Sequence, residues 1–178
     1  MLLKFLPKLL PYVLYNFIQN KIKGRKKKFN FDQKLTKISC GDYQILCPQN
    51  HPLIKLKNFQ PYRDKLIGVS AKFISLKYPE KLIVDIGANI GDTAAIIASY
   101  CKNELLLIEG SQYFYNILLK NINLIENKIE AKNVFISSGE KLSGYLLHKG
   151  GTAKFKRYSR KKSNYQINQI STDKGVEF

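Results

Sequence analysis

One stretch of the chain decides its fold: Leu82-Ile83-Val84-Asp85-Ile86-Gly87-Ala88-Asn89-Ile90-Gly91-Asp92-Thr93. Apolar residues lead up to the carboxylate of Asp85, a loop with a glycine at each end follows, and a helical segment begins at Asp92. This order predicts a buried strand, a tight turn and a helix N-terminus. In open α/β sheets such a junction binds nucleotide-like ligands at the carboxyl ends of the strands. An ordinary strand-to-helix turn is the alternative interpretation.

The glycine spacing of this loop differs from the dinucleotide fingerprint G-x-G-x-x-G. Gly87 is followed by Asn89 and Gly91, so the second and third glycines of that fingerprint are missing. Asp85, two residues before the first glycine, would repel a pyrophosphate but could hold the ammonium group of an amino acid. The loop therefore favours a ligand with an amino-acid part over a dinucleotide.

A second acid follows the next predicted strand. Leu105-Leu106-Leu107-Ile108 leads directly to Glu109, and an acid at the end of the second strand can accept hydrogen bonds from both ribose hydroxyls. A ligand with a ribose, an ammonium and no pyrophosphate is S-adenosylmethionine. Taken alone, Glu109 could be a solvated acid at a strand end, but its pairing with Asp85 favours the cofactor.

The remaining pattern predicts alternating strands and helices. We expect strands over 81–86, 105–109 and 133–136 and helices over 62–78, 92–101 and 112–126, an order typical of a parallel sheet with right-handed crossovers. Short strands are predicted at 43–47 and within 145–171, the latter joined by the turn Lys149-Gly150-Gly151. Residues 1–22 are expected to form one or two short helices and residues 23–37 a basic linker. This divides the chain into a helical segment over 1–37 and an α/β domain over 38–178.

The chain is strongly basic, and its positive charge is concentrated near both ends. It carries 30 Lys and Arg against 13 Asp and Glu, a net charge of +17. Residues 1–37 hold ten of the basic residues and residues 149–162 hold seven, which leaves the middle nearly neutral. Such a chain raises a non-catalytic nucleic-acid-binding module as the alternative function. The sequence disfavours it, because no aromatic-basic stacking motif of the RNA-binding kind is present.

The N-terminal segment is apolar but interrupted. Two lysines and two prolines fall within its first eleven residues, whereas a spanning helix needs about 20 largely apolar residues. The basic run Lys21–Lys28 follows, a pattern typical of a peripheral anchor on an anionic membrane. A helix packed on the domain is the alternative. We expect a cytoplasmic protein whose residues 1–28 can contact the inner membrane face.

The cysteine and histidine pattern indicates neither a metal site nor a disulfide framework. Cys40, Cys47 and Cys101 show no C-x-x-C spacing, so they are expected to be reduced. His51 stands beside Pro52 and is expected to shape a loop.

Residues 51–155 resemble the FkbM-type family of class I S-adenosylmethionine-dependent methyltransferases. The resemblance rests on residues 83–93 and on Ile108-Glu109-Gly110, together with His51-Pro52-Leu53, Asn121 at a helix end and Lys149-Gly150-Gly151-Thr152-Ala153. It implies an α/β fold with a Rossmann-like parallel sheet. It also implies transfer of a methyl group to an oxygen, with a sugar or other hydroxyl-bearing small molecule of polysaccharide or secondary-metabolite biosynthesis as the acceptor.

The resemblance also assigns the cofactor-binding positions. The loop around the methionine part of the cofactor matches Asp85, Gly87, Ala88, Asn89 and Gly91. The ribose-binding acid matches Glu109, and the region near the adenine matches Ser137 and Ser138, just past the third predicted strand.

The family's sequence pattern continues beyond what this chain contains. A fourth strand ending in Lys-Ile-Asp-x-x-Gly is missing, so the resemblance covers the first three strands and a short β extension. We therefore expect a C-terminally truncated enzyme with little activity alone, or a sheet that another chain completes. In either case the 81–86 strand would be left as an apolar edge.

No residue is assigned as the catalytic base. The local candidates for removing a proton from an acceptor hydroxyl are Asp92, His148 and Asp173, and their spacing supports none of them. Asp92 is expected to cap the helix that follows the loop.

Overall fold

A three-stranded parallel sheet forms the centre of the protein. The computed structural model describes residues 29–59, 62–136 and 144–157. Its parallel strands are β3 (Ile83–Ile86), β4 (Leu105–Ile108) and β5 (Ile129–Lys132), in the spatial order β3-β4-β5. All four residues of β4 are buried, as expected for a central strand covered on both faces. The prediction of a mixed α/β protein with a parallel sheet is confirmed at this level.

Two helices connect the strands of this sheet. Helix α3 spans Asp92–Ala98 and helix α4 spans Gln112–Ile122, within the predicted ranges 92–101 and 112–126. The Ser111 side chain caps α4 by accepting a hydrogen bond from the Phe114 N–H. The apolar face of α4 is buried through Phe114, Ile117 and Leu118, and this burial stabilises the helix against the rest of the domain.

The third strand lies four residues earlier than predicted. The prediction of 133–136 is wrong, because β5 pairs with β4 from Ile129, opposite Leu105, to Lys132, opposite Ile108. The pairing then ends: the Asn133 side chain donates to the Glu109 carbonyl instead of continuing the backbone ladder. The apolar residues that suggested a strand follow this point.

An antiparallel hairpin precedes the sheet. Its strands are β1 (Leu35–Cys40) and β2 (Tyr43–Pro48). Strand β2 was predicted, but β1 was not. Because β1 begins at Leu35, the prediction of a linker over 23–37 is wrong for residues 35–37. Gly41 forms the turn with φ of 57°, and an added Cβ there would lie 2.1 Å from Ser99 Oγ. The division of the chain at residue 37 stays a prediction.

Two helices lie between the hairpin and the sheet. Helix α1 (Pro52–Phe59) was not predicted, whereas helix α2 (Tyr62–Lys77) confirms the helix expected over 62–78. In α2 the buried positions are Gly68 and Ala71, so the helix packs closely through its small residues. Many of its large apolar side chains remain exposed.

A second hairpin follows the sheet. Strands β6 (Gly144–Lys149) and β7 (Thr152–Arg157) pair antiparallel and confirm the predicted turn at 149–151. Other predictions lie outside the described residues: the helices over 1–22, the membrane contact of 1–28, the strands over 158–171, and Ser137, Ser138 and Asp173. None of the helices that the structure describes is long and apolar enough to cross a membrane.

The three cysteines are free and lie in the interior. Burial raises the pKa of Cys40 to about 11 and that of Cys47 to about 12. Both thiols are therefore protonated at neutral pH and behave as apolar core residues.

Candidate functional site

The loop between β3 and α3 has an unusual backbone that both glycines make possible. Gly87 has φ of 82°, Asn89 of 52° and Gly91 of 86°, all in the left-handed region. The N–H groups of Gly87 and Ala88 donate to the Ile108 carbonyl at 2.8 and 3.0 Å. The loop is thereby fixed to the carboxyl end of β4. The predicted site residues of the loop and Glu109 meet at one edge of the sheet.

The two glycines of the loop face different surroundings. Among the residues that the structure describes, a Cβ added to Gly87 would meet nothing within 4 Å, whereas one added to Gly91 would lie 2.8 Å from Leu118 Cδ1 on α4. The described residues therefore leave space open beside Gly87. Gly91 serves the packing of α3 against α4 and is not itself shown to line ligand space.

The N-terminus of α3 differs from the sequence prediction. Gly91 is the N-cap, and no side chain caps the helix, so the expected cap by Asp92 is wrong. Asp92 lies in the first turn instead, and its Oδ2 accepts from Arg63 Nη2 at 2.7 Å. Arg63 in turn contacts Asp64, which also pairs with Lys57. Asp92 is thus engaged in an ion-pair network rather than free to act as a base.

Glu109 is buried and holds the loop in place. Its Oε2 accepts from the Asn89 N–H at 2.9 Å, and its Oε1 accepts from the Ser111 N–H at 2.7 Å. Burial raises the pKa of Glu109, and these two backbone donors partly oppose the rise. A carboxylate has about four lone-pair positions, so each oxygen can accept one further hydrogen bond. The expected pair of ribose contacts is compatible with this geometry.

Asp85, the second carboxylate of the candidate site, differs from Glu109 in its hydrogen bonding. Its Oδ2 is buried and has no hydrogen-bond partner among the residues that the structure describes. Burial, together with the negative charges of Asp92 and Glu109, raises the pKa of Asp85 to about 6. An unsatisfied buried acid is costly. A cationic ligand group at this position would supply the missing partner.

Asn89 joins three separate parts of the chain. Its Nδ2 donates to the Gly151 carbonyl at 2.8 Å, and its Oδ1 accepts from the Ile90 N–H at 3.0 Å and lies 3.2 Å from His51 Nε2. His51 Nε2 also lies 3.2 Å from the Gly151 carbonyl. Two acceptors around Nε2 assign the proton to that nitrogen. Nδ1 then accepts from the Leu53 N–H at the start of α1.

His51 therefore has a structural role, as its expected position in a loop indicated. Burial lowers the pKa of His51, so the neutral ring that this network requires is favoured at neutral pH. Its contacts connect the β6–β7 turn to the loop through Asn89. No spacing pattern in the sequence predicts a contact between residues this far apart, and Gly151 takes part through its carbonyl.

His148 is also held by neighbouring groups. Its Nε2 lies 2.8 Å from Ser111 Oγ, and its ring packs among Phe29, Phe31 and Tyr113. Burial lowers the pKa of His148. The described contacts give no direct support for this residue as the base.

Asn121 supports the site from behind. Its side chain is fully buried, accepts from the Leu46 N–H at 2.7 Å and donates to the carbonyls of Leu46 and Ile90. It therefore connects β2 and the site loop to α4.

Arg63 is a site residue that the sequence analysis missed, since a cation at the start of a helix carries no signal for its distant partner. Within the described part of the chain, no group of three or more His, Cys, Asp or Glu is arranged to hold a metal ion.

Comparison with known proteins leaves the family open. No protein-family model matches the chain, and no curated protein matches it significantly. One similar solved structure is the "putative transferase PH0793" from Pyrococcus horikoshii, with 20% identity and a TM-score of 0.36. The match covers 66% of this chain and 45% of that protein, so the chain spans less than half of the neighbour's length. A likeness this distant assigns neither fold nor function, and the FkbM-type resemblance stays a prediction.

Proposed function

We propose that this chain is the cofactor-binding part of an S-adenosylmethionine-dependent methyltransferase with a Rossmann-like sheet. The observation that carries the proposal is the pairing of two different carboxylates at one loop. Glu109 is fixed by two backbone donors, while the buried Oδ2 of Asp85 lacks a described partner. This combination suits a ligand with neutral hydroxyls at one end and a cation at the other.

The residues present fit S-adenosylmethionine. Glu109 would accept the ribose hydroxyls, and Asp85 would face the ammonium of the methionine part, directly or through water. Gly87 would allow close approach, since space is open beside its Cα. Asn89 would keep the loop in register through Glu109 and Gly151. The adenine contact expected at Ser138 remains part of the proposal.

The contribution of these residues to methyl transfer is positioning. When bound, S-adenosylmethionine supplies a methyl group already activated by its sulfonium. The loop and Glu109 would fix the donor, and aligning donor and acceptor can contribute about 7–11 kcal/mol to the lowering of the barrier. A hydroxyl acceptor on a sugar is the proposed substrate. We assign no catalytic base, because Asp92 is engaged with Arg63 and His148 with Ser111.

Calorimetric titration at pH 7 tests the cofactor. We expect S-adenosylmethionine to bind more tightly than NAD, because Asp85 disfavours a pyrophosphate. Glu109→Gln should weaken binding at least tenfold, since one ribose acceptor is lost. Glu104→Gln is the matched control. Glu104 is an acid that directly precedes the same strand, and its side chain pairs with Lys128 at the surface. Tighter binding of NAD, or equal weakening by both variants, would contradict the proposal.

The basic alternative is tested separately. A nucleic-acid-binding module would shift RNA or DNA in a gel, and binding driven by phosphate contacts alone would fade steeply with salt. We expect no shift at physiological salt. A salt-resistant shift that Glu109→Gln leaves unchanged, without S-adenosylmethionine binding, would favour the alternative.

A further inference from the structure

The chain contains two histidines, and each contacts a residue whose backbone N–H donates to Glu109. His51 Nε2 lies 3.2 Å from Asn89 Oδ1, and the Asn89 N–H donates to Glu109 Oε2 at 2.9 Å. His148 Nε2 lies 2.8 Å from Ser111 Oγ, and the Ser111 N–H donates to Glu109 Oε1 at 2.7 Å. Each oxygen of this carboxylate is therefore held by a residue that a histidine contacts.

The His51 contact acts on an uncommon backbone conformation at Asn89. Asn89 has φ of 52°, in the left-handed region that residues other than glycine enter at a cost. Its side chain is held at both ends, since Oδ1 lies beside His51 Nε2 and Nδ2 donates to the Gly151 carbonyl at 2.8 Å. A side chain fixed in this way opposes rotation of the Asn89 backbone, which sets the direction of its N–H. His51 thereby helps to direct this donor toward Glu109.

The His51 ring is itself fixed by its neighbours. Nδ1 accepts from the Leu53 N–H at 3.2 Å, and Nε2 lies 3.2 Å from the Gly151 carbonyl as well as from Asn89 Oδ1. The neutral ring with its proton on Nε2 satisfies all three contacts. His51 is thus a rigid support that joins the start of α1 to the loop after β3.

The His148 contact acts on the start of α4. Ser111 Oγ accepts from the Phe114 N–H as the helix cap, so the hydroxyl proton needs an acceptor of its own. Nε2 of a neutral His148 accepts it at 2.8 Å. The ring of His148 is held by packing, with centroid distances of 5.1 Å to Phe29 and 5.9 Å to Phe114. Ser111 is therefore fixed with its N–H directed toward Glu109 Oε1.

Two fixed donors set the plane of the Glu109 carboxylate. A hydrogen bond weakens when its angle is poor, so a carboxylate that rotated would be a worse acceptor for two ribose hydroxyls at once. His51 precedes α1 and His148 lies on β6, so both supports come from outside the β4–α4 segment that carries Glu109. Fixing the acid before the ligand arrives reduces the ordering cost of binding.

We propose that His51 and His148 are positioning residues for the carboxylate of Glu109. They act through the backbone donors of Asn89 and Ser111 rather than on the cofactor itself. The consequence for binding rests on the proposed function, in which Glu109 accepts the ribose hydroxyls of S-adenosylmethionine.

Hydrogen exchange followed by NMR tests the positioning without a cofactor. His51→Leu should speed exchange of the Asn89 amide about fivefold or more, and His148→Leu that of the Ser111 amide, because each amide is then less firmly held on its acceptor. The two backbone donors lower the pKa of Glu109 against the effect of burial. Both leucine variants should therefore raise the pKa of Glu109, measured by NMR of its carboxyl carbon.

Glutamine variants separate hydrogen bonding from charge and packing. A glutamine amide can both donate and accept, and it carries no charge. His51→Gln and His148→Gln should therefore keep amide exchange and the pKa of Glu109 closer to the wild type than the leucine variants do. Equal effects of leucine and glutamine at both positions would overturn the proposal.

Asn127→Leu is the control for a general loss of stability. The Asn127 side chain is buried and donates to the carbonyls of Cys101 and Asn103. These residues precede β4, whereas Glu109 follows it. Asn127→Leu should leave exchange of the Asn89 and Ser111 amides slower than in the leucine variants of the histidines. Equal acceleration by Asn127→Leu would show only lost stability and would contradict the positioning role.

The tautomers of the two rings provide a test in the unaltered protein. Nitrogen NMR at pH 7 should place the proton on Nε2 in His51, which faces two oxygens, and on Nδ1 in His148, whose Nε2 accepts from Ser111. This measurement decides if a leucine variant fails to fold. Reversed tautomers would overturn the proposal.

Calorimetric titration with S-adenosylmethionine tests the consequence for binding. Each leucine variant should weaken binding about threefold or more, but by less than about twofold when Glu109 is already glutamine, because both changes remove the same contact. An equal loss in the two backgrounds would contradict action through Glu109. If the wild type does not bind S-adenosylmethionine, the proposed function fails, while amide exchange and the pKa of Glu109 still decide the positioning.

Discussion

The two sides of β3 differ in how many of their polar groups are hydrogen-bonded and how many of their apolar groups are covered. The side that faces β4 and carries the loop after β3 is called the tied side, and the outer side is called the open side. On the side of β4, the loop after β3 is tied by Glu109, Asn89 and the Ile108 carbonyl. On the outer side, no described strand pairs with the backbone of β3, and several large apolar side chains of α2 are exposed, among them Leu66 and Phe73. The first side is therefore held by hydrogen bonds, whereas the second is exposed among the residues that the structure describes. Each can be changed without changing the other.

The largest expected effect on stability comes from changing a loop glycine on the tied side. Gly91→Val should lower the free energy of unfolding by about 2–6 kcal/mol, since valine at φ of 86° is strained and its Cβ meets Leu118. Gly87→Ala should cost about 1–2 kcal/mol, because it has the strain without the clash. Urea unfolding measures both. Equal midpoints for the two variants would contradict the packing role given to Gly91.

Within the tied side, the unsatisfied acid is expected to destabilise the fold. The pKa of Asp85 rises from 3.8 to about 6 on folding, so the folded state binds more protons than the unfolded state between these values. Stability therefore falls as pH rises from about 4 to 6, by on the order of 3 kcal/mol. Asp85→Asn should remove this slope and be more stable than the wild type at pH 7. Urea unfolding of both proteins at pH 4 and pH 7 is the check. If the free energy of unfolding changed equally between the two pH values in the wild type and in Asp85→Asn, the account would be wrong.

The satisfied acid should behave in the opposite way. Glu109→Gln replaces one carboxylate oxygen by an amide nitrogen, so either the Asn89 or the Ser111 N–H loses its acceptor. We expect a loss of about 1–3 kcal/mol in the free energy of unfolding at pH 7. If Glu109→Gln and Asp85→Asn had the same free energy of unfolding at pH 7, the contrast between a hydrogen-bonded and an unsatisfied carboxylate would be contradicted.

The smallest expected effect is on the open side. Phe73→Gln alters an exposed side chain of α2, so the free energy of unfolding of the isolated chain should change by less than about 0.5 kcal/mol. Ile96→Ala on α3 removes a fully buried side chain and should cost about 2–5 kcal/mol. Thermal unfolding compares the two. A large loss with Phe73→Gln would mean that the Phe73 side chain is already covered within the chain.

The sequence predicted the parts of the molecule whose signals are local. The β3–loop–α3 junction, the second strand with Glu109 and the turn at Gly150 follow from apolar runs and glycines close together in the chain. Strand β5 was misplaced because the apolar residues after Asn133 resemble a strand, while register with β4 is set by contacts distant in sequence. Strand β1 was missed within a basic stretch, since its pairing with β2 supplies what its composition does not.

The sequence predicted that three residues of the candidate site lie close together, but it did not predict the groups that hold them. Asp85, Asn89 and Glu109 converge as the strand ends required. Arg63 on Asp92, and Gly151 on Asn89, could not be predicted, because nothing near these residues in sequence indicates the partner. The cap expected from Asp92 failed because Gly91 already takes the N-cap position with a left-handed backbone.

Calorimetric titration of S-adenosylmethionine at pH 7 and pH 5, in the wild type and in Asp85→Asn, tests the central claim most directly. The account requires Asp85 to be ionised when it meets the ligand's ammonium, and the pKa of Asp85 is about 6. It predicts that the wild type binds about tenfold more weakly at pH 5 than at pH 7, whereas Asp85→Asn binds weakly at both. No binding by the wild type at pH 7, or equal affinity of the two proteins at both pH values, would contradict it.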